Sequence, residues 1–272
     1  MADTGAQPSS TATNVVAAAE ALFNARRQRR PIPPVRTSYG ISDVAEAYQV
    51  QDCNTRRYLA EGRRLAGRKI GLTSKAVQQQ LGVEQPDYGM LWADLGYGDG
   101  DLAPMSNFMQ PKVEAEIAFI MGRGLAGEQI ILPDVMSAVA YAVPAMEIVD
   151  SAIANWDIKL ADTIADNASA GGYVLGESPR ALFGLDLRLC GMILSRNGST
   201  ASLGVGAACL ENPLNALMWL ARKMQELGRP LEAGDIVLSG ALGPMVPAVA
   251  GDRFTAEIQG FAPLTLTFGD AA

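Results

Sequence analysis

Histidine is missing altogether from this 272-residue chain. Without imidazole there is no Ser–His–Asp or Cys–His nucleophile system, no histidine-bearing zinc site and no imidazole acid–base catalysis. Any enzyme chemistry here has to run on carboxylates, lysine, tyrosine, cysteine or metal-bound water. Cysteine is scarce: Cys53, Cys190 and Cys209 are an odd, widely spaced set with no CxxC pair. That argues against a disulfide framework or thiolate metal site and for idle thiols in a reducing cytosol. Charged residues make up 19% and aromatics 6% of the chain. The 22 Lys+Arg against 29 Asp+Glu leave a net charge of −7, which attracts neither nucleic acid nor an anionic membrane surface. Long apolar runs are also lacking. The most apolar stretch, around 133–149, carries proline and acids and falls short of a membrane span. The opening MADTGAQPSSTATN has no basic segment leading into an apolar one, so no secretory signal is read there and a cytoplasmic location is expected.

What the chain does have is apolar bulk, 49% of its residues, enough for a large core with surface to spare for a subunit interface. Asn14 to Arg30 reads as an Ala-rich helix with a basic end. After the proline-stiffened PIPPVRTSYG, Ser42 is the expected cap of a second helix with Glu46 in an early turn. From Gly67 the texture changes. GRKIGL reads as a strand, TSKAVQQQLG as a short helix and EQPDYGMLWADLGYGDGDLAP as a Gly/Pro/Asp-rich excursion. PDVMSAVAYA and WDIKLADTIADNAS read as helical, and LDLRLCGMILSRNG as strand with a hairpin turn at Asn197-Gly198. PLNALMWLARKMQELG is a further helix, and three short strands follow it. The pattern is α+β: a largely antiparallel mixed sheet system behind an N-terminal helical arm. Residues 1–66 are taken as tail and helical arm, 67–272 as the catalytic domain.

The segment Val113-Glu114-Ala115-Glu116-Ile117 carries the most chemistry. In a strand, Glu114 and Glu116 share one face with Cα atoms about 6.6 Å apart, close enough for both carboxylates to reach one cation. An ordinary solvated strand face accounts for the pair as well. Glu147 is different: it is isolated inside the apolar PAMEIVD, where a buried acid needs a partner or a metal. Oxygen ligands without imidazole or thiolate point to a hard ion, Mg²⁺ or Mn²⁺. Lys69 sits among apolar residues in a short strand, Asp87 follows Pro86, and Asp162, Asp166, Asn167 and Ser169 crowd one segment. Each also fits a plain structural role, as a snorkelling lysine, a turn aspartate or a helix-end cap. The glycines of GALGP fit either a turn or a close backbone approach to a ligand.

The strings KIGLTSKAVQQQLGVEQPDYG, QPKVEAEIAF, PAMEIVDS, DTIADNASAGGYVLG, NPLNALMWLARKM and GDIVLSGALGPMVPA closely resemble the 2-hydroxypenta-2,4-dienoate (2-keto-4-pentenoate) hydratases of the fumarylacetoacetate hydrolase superfamily. The likeness is collinear from about residue 14 to the C-terminus. It implies a mixed β-roll and a divalent metal, Mg²⁺ or Mn²⁺, held by Glu114, Glu116 and Glu147. It also implies an active-site lysine at Lys69, a loop aspartate at Asp87 and the DNAS serine at Ser169. The superfamily's hydrolases use a histidine base, which this chain lacks, and that favours the hydratase branch. The reaction implied is addition of water to 2-hydroxypenta-2,4-dienoate, giving 4-hydroxy-2-oxopentanoate in aromatic meta-cleavage. In it Lys69 neutralises a substrate oxygen, Asp87 shuttles a proton or activates water, and Ser169 with Asn167 positions substrate. The partners implied are a 2-hydroxydienoate or 2-oxo acid, copies of the same chain, and a related decarboxylase or downstream aldolase. The competing readings are 4-oxalocrotonate decarboxylase and a non-catalytic subunit that binds a 2-oxo acid.

Overall fold

Alanine-rich sequence with apolar residues at helical spacing builds the first element. In the computed structural model, which describes residues 10–75, 78–79 and 83–270, α1 spans Ser10–Gln28 and buries Val15, Ala18, Ala19, Leu22 and Ala25. It ends where Arg29 turns left-handed, at φ 53°, two residues short of the expected Arg30. A single turn, α2 (Val35–Ser38), leads to α3 (Val44–Ala60). The cap of α3 is Asp43 rather than Ser42, because the Asp43 carboxylate accepts from the N–H groups of Ala45 (2.8 Å) and Glu46 (3.2 Å).

Beyond the arm the chain is mostly strand, as expected for α+β. Among the described residues one sheet holds β1 (Leu65–Gly71), β2 (Asp87–Trp92), β3 (Gly96–Gly98), β5 (Pro111–Met121), β6 (Val139–Asp150), β7 (Ala170–Leu175), β10 (Ile236–Leu238) and β11 (Val246–Pro247). Its order is β2-β1-β10-β5-β6-β7-β3, with β11 paired to β5. A second sheet runs β4-β13-β12-β8-β9, from β4 (Leu102–Pro104), β8 (Gly191–Arg196), β9 (Ser199–Val205), β12 (Arg253–Ile258) and β13 (Leu264–Gly269). Among the described elements three helices intervene: α4 (Leu132–Ala138), α5 (Leu160–Ala165) and α6 (Pro213–Glu226).

Several local expectations are corrected. The Gly/Pro/Asp-rich excursion contains β2, every residue of it buried and paired antiparallel with β1 along its length despite the turn-like composition. The helix expected over PDVMSAVAYA stops at Ala138, and Val139 already begins β6. WDIKLADTIADNAS keeps only the six residues of α5 and two single 3₁₀ turns. LDLRLCGMILSRNG becomes strand only from Gly191. Part of the TSKAVQQQLG helix lies outside the described residues. The Asn197-Gly198 hairpin is present, with φ values of 53° and 79° joining β8 to β9.

The main core packs Ile117, Phe119, Met146 and Ile148 of the first sheet with Phe254, Leu266 and Phe268 of the second and Leu217 and Leu220 of α6. Each such side chain contributes about 1.5–3 kcal/mol on burial. A separate apolar cluster joins α1, α2 and α3 to Ala152, Ile153, Ala161, Ile164 and Ala165. The arm therefore grips the segment between β6 and β7. No helix among the described residues is long and apolar enough to cross a membrane.

Candidate active site

Strand register assembles the acids. Glu114 and Glu147 are direct partners across the antiparallel β5–β6 pair, and Glu116 lies two residues further along the same face of β5. The intervening Val113, Ala115 and Ile117 turn into the main core. One oxygen from each of the three carboxylates lies within 4.8 Å of the others. Glu116 and Glu147 are fully buried, and Glu114 is half-buried. Like charges directly opposite on a sheet repel, and burial removes the water that would screen them.

The Lys69 ammonium offsets part of this charge. Lys69, buried in β1, places Nζ 3.0 Å from Glu147 Oε1 and donates a hydrogen bond to the Ala168 carbonyl at 3.0 Å. The contact with Glu147 is a buried ion pair. Gly240 N–H donates to Glu116 Oε2 at 2.8 Å. Glu116 Oε1 and both Glu147 oxygens have no hydrogen-bond partner. Asp87, at the start of β2, is buried with Oδ1 likewise unpartnered.

Burial, then Glu147, pushes the Glu114 carboxyl up to about 7. Burial, then Glu147 and Glu114, takes Glu116 well above the carboxylate range. Burial also raises Glu147, although Lys69 pulls the other way. Burial works to lower Lys69, but Glu147, Asp87, Glu114 and Glu116 together leave it raised and charged. Burial raises Asp87 against the pull of Lys69. Several acids, one fixed ammonium, orphaned carboxylate oxygens and all-oxygen donors suit a hard divalent cation.

Two glycines allow the approach. A Cβ on Gly71 would stand 2.2 Å from Asp87 Oδ1 and 3.3 Å from Lys69 Nζ, so only glycine leaves room for both side chains. Gly240 has φ 106°, and a Cβ there would meet Thr73 Oγ1 at 2.4 Å. The GALGP segment is thus a close backbone approach, made to Glu116 and Thr73.

The DNAS segment is strained. Asn167, Ala168 and Ser169 have φ of 56°, 51° and 56°, three successive left-handed residues without a glycine. Each costs about 1–2 kcal/mol, and such strain collects at functional sites. The turn delivers the Ala168 carbonyl to Lys69. Ser169 is buried with its hydroxyl 3.4 Å from that of Thr163. The Asn167 amide is occupied by the Met90 backbone, accepting from N–H at 2.7 Å and donating to the carbonyl at 2.9 Å.

Sequence reasoning missed Lys112. It shares the Glu114 face of β5 two residues away, a placement the same strand alternation would have revealed. Its ammonium lies 4.0 Å from the centre of the Trp156 ring, a contact with no local signal in the sequence.

Fold and site together define a class: an α+β, mixed β-roll protein with a buried carboxylate centre suited to a divalent metal. The family described as Fumarylacetoacetate (FAA) hydrolase C-terminal matches residues 58–268, and the chain belongs to that family. It is 56% identical over 254 residues to the TodF product hydratase of Pseudomonas putida F1, covering 93% of this chain and 95% of the relative. It is 53% identical over 251 residues to a 2-keto-4-pentenoate hydratase of Paraburkholderia xenovorans LB400, covering 92% and 93%. Among solved structures it is similar to the 4-oxalocrotonate decarboxylase of Pseudomonas putida G7 complexed with magnesium and adipate. The TM-score is 0.90 at 35% identity, over 94% of this chain and 97% of the other.

Proposed function

We propose that this chain is a divalent-metal-dependent hydro-lyase. It adds water to 2-hydroxypenta-2,4-dienoate, giving 4-hydroxy-2-oxopentanoate, in the meta-cleavage breakdown of aromatic compounds. The observation that carries the reading is the meeting of Glu114, Glu116 and Glu147 beside Lys69, with orphaned oxygens among them. Hydratase relatives at 53–56% identity point to the same reaction. In this reading the three glutamates hold Mg²⁺ or Mn²⁺. When bound, such an ion supplies Lewis-acid charge that polarises a 2-oxo acid.

The protein's own groups account for the proton traffic. Lys69, kept charged by its acid neighbours, neutralises the negative charge that gathers on a substrate oxygen. The dienol loses its 2-hydroxyl proton and gains one at C5, giving the 2-oxo-3-enoate. Water then adds its oxygen at C4 while a proton is delivered to C3. Asp87, held protonated more readily than an ordinary aspartate by burial, exchanges those protons. Ser169 orients substrate or water, and Asn167 holds the turn against β2 and so shapes the substrate pocket. Residues 67–272 form the catalytic unit and 1–66 the arm. Assembly into homo-oligomers and contact with a decarboxylase or aldolase of the same route belong to the same proposal.

The test follows the dienol absorbance with Mg²⁺ or Mn²⁺, and again with chelator. Metal-dependent loss of absorbance with a 4-hydroxy-2-oxo acid product supports the reading. The likeness to the decarboxylase favours one competitor, and carbon dioxide release from 2-oxohex-3-enedioate without hydration would replace the hydratase by it. Tight 2-oxo acid binding without turnover would instead make the chain a binding subunit.

A further inference from the structure

We propose that Arg26 of the N-terminal arm is a positioning residue of the active site. Through Asp166 it holds the left-handed turn Asn167–Ser169, which presents the Ala168 carbonyl to Lys69. The inference rests on the proposed reaction only for its kinetic arm.

The arm grips both ends of α5. At the start, Arg36 pairs with the fully buried Asp162, its backbone N–H donating to Asp162 Oδ1 at 3.1 Å and its guanidinium to Oδ2. At the end, the Arg26 guanidinium forks onto Asp166 Oδ1, with Nε at 3.0 Å and Nη2 at 2.7 Å. The other Asp166 oxygen accepts from Ala152 N–H at 2.7 Å, tying the same carboxylate to the segment after β6. Asp150 lies 3.9 Å from Arg26 Nη1 and accepts from Met109 and Gln110 N–H. A third link comes from α3, where Gln51 Nε2 donates to the carbonyls of Tyr88 in β2 and Ile164 in α5.

The turn needs such a hold. Its three residues are all in a backbone region that side chains disfavour, so it persists only where its surroundings over-determine it. A cavity of about 390 Å³, bordered by Arg26, Tyr58, Trp92, Asp166 and Asn167, backs this turn. On that side polar contacts, rather than close packing, hold the turn. None of these contacts touches a glutamate, although Asp150 closes β6 three residues beyond Glu147.

The primary variant is Arg26→Lys, which keeps the charge and loses the fork. Asp166→Asn, similar in volume, breaks the same link from the other side. The expected result in both is a fall in kcat of about tenfold or more. KM and the calorimetric Mn²⁺ dissociation constant stay within about threefold, and amide exchange across residues 166–171 speeds up while that of β5 does not. The double variant should be no slower than the worse single one, because both act on one contact. Arg56→Ala, an exposed arm arginine paired with Asp52, is the control and stays within twofold of the unaltered protein. Unchanged exchange at 166–171 in both variants overturns the proposal. So does joint loss of Mn²⁺ binding and melting temperature in both, which would make the pair a general folding contact. Should the unaltered protein hydrate no dienol, exchange and Mn²⁺ binding still decide the inference, since neither needs the reaction.

Discussion

Glu114 and Glu147 face each other across two strands, an arrangement in which like charges repel and which suits a cation between them. Glu147→Gln is therefore expected to lower activity about 100-fold or more and to abolish the rise in melting temperature with Mg²⁺. The ion-free fold should be retained, because repulsion is relieved. Paired melting curves with and without Mg²⁺ check this. The sign of the pH dependence follows from the same burial. All three glutamates titrate higher folded than their ordinary 4.5, Glu114 at about 7. The folded form thus binds these protons more tightly, and their contribution to stability falls as pH rises from about 4.5 through about 7. A cation must displace the same protons, so the Mg²⁺-induced melting shift should grow over this interval. A shift that shrank would contradict the three-acid centre. Gly71→Ala places a methyl 2.2 Å from Asp87 Oδ1. It should cost about 1–3 kcal/mol by urea unfolding and reduce kcat more than metal affinity.

At the scale of elements, caps and register separate what is local from what is not. Asp43, not Ser42, accepts from the first N–H groups of α3. Asp43→Ala is expected to cost about 1 kcal/mol and Ser42→Ala under about 0.5 kcal/mol, measured by urea unfolding. The two residues are adjacent and both are good cap formers, so sequence could not choose between them. β2 was hidden for a different reason. Gly89 and Asp87 are poor strand formers alone, and only the partner strand β1 makes them strand. In β5 the alternation of Val113, Ala115 and Ile117 with Glu114 and Glu116 was strong enough to be read locally, and the two sets do face opposite ways.

For the molecule as a whole, a cation held by the three glutamates would be linked to folding. An ion at 100 times its dissociation constant adds about 2.7 kcal/mol, which for a chain of this size raises the melting temperature by several degrees. Dialysis against chelator followed by Mg²⁺ titration in a thermal scan checks that size and its reversibility. By itself the sequence determined the chemistry on offer: no imidazole, two glutamates on one strand face, an isolated third acid, a lysine among apolar residues and a collinear likeness to one family. These are readable because strand alternation and composition are local properties. Tertiary structure alone decided that Glu147 stands opposite Glu114, that Lys69 reaches both Glu147 and the Ala168 carbonyl, and that Arg26 grips Asp166 140 residues away. Those contacts depend on strand register and on how the arm docks, which the long-range burial of separate apolar clusters sets and no short stretch of sequence encodes.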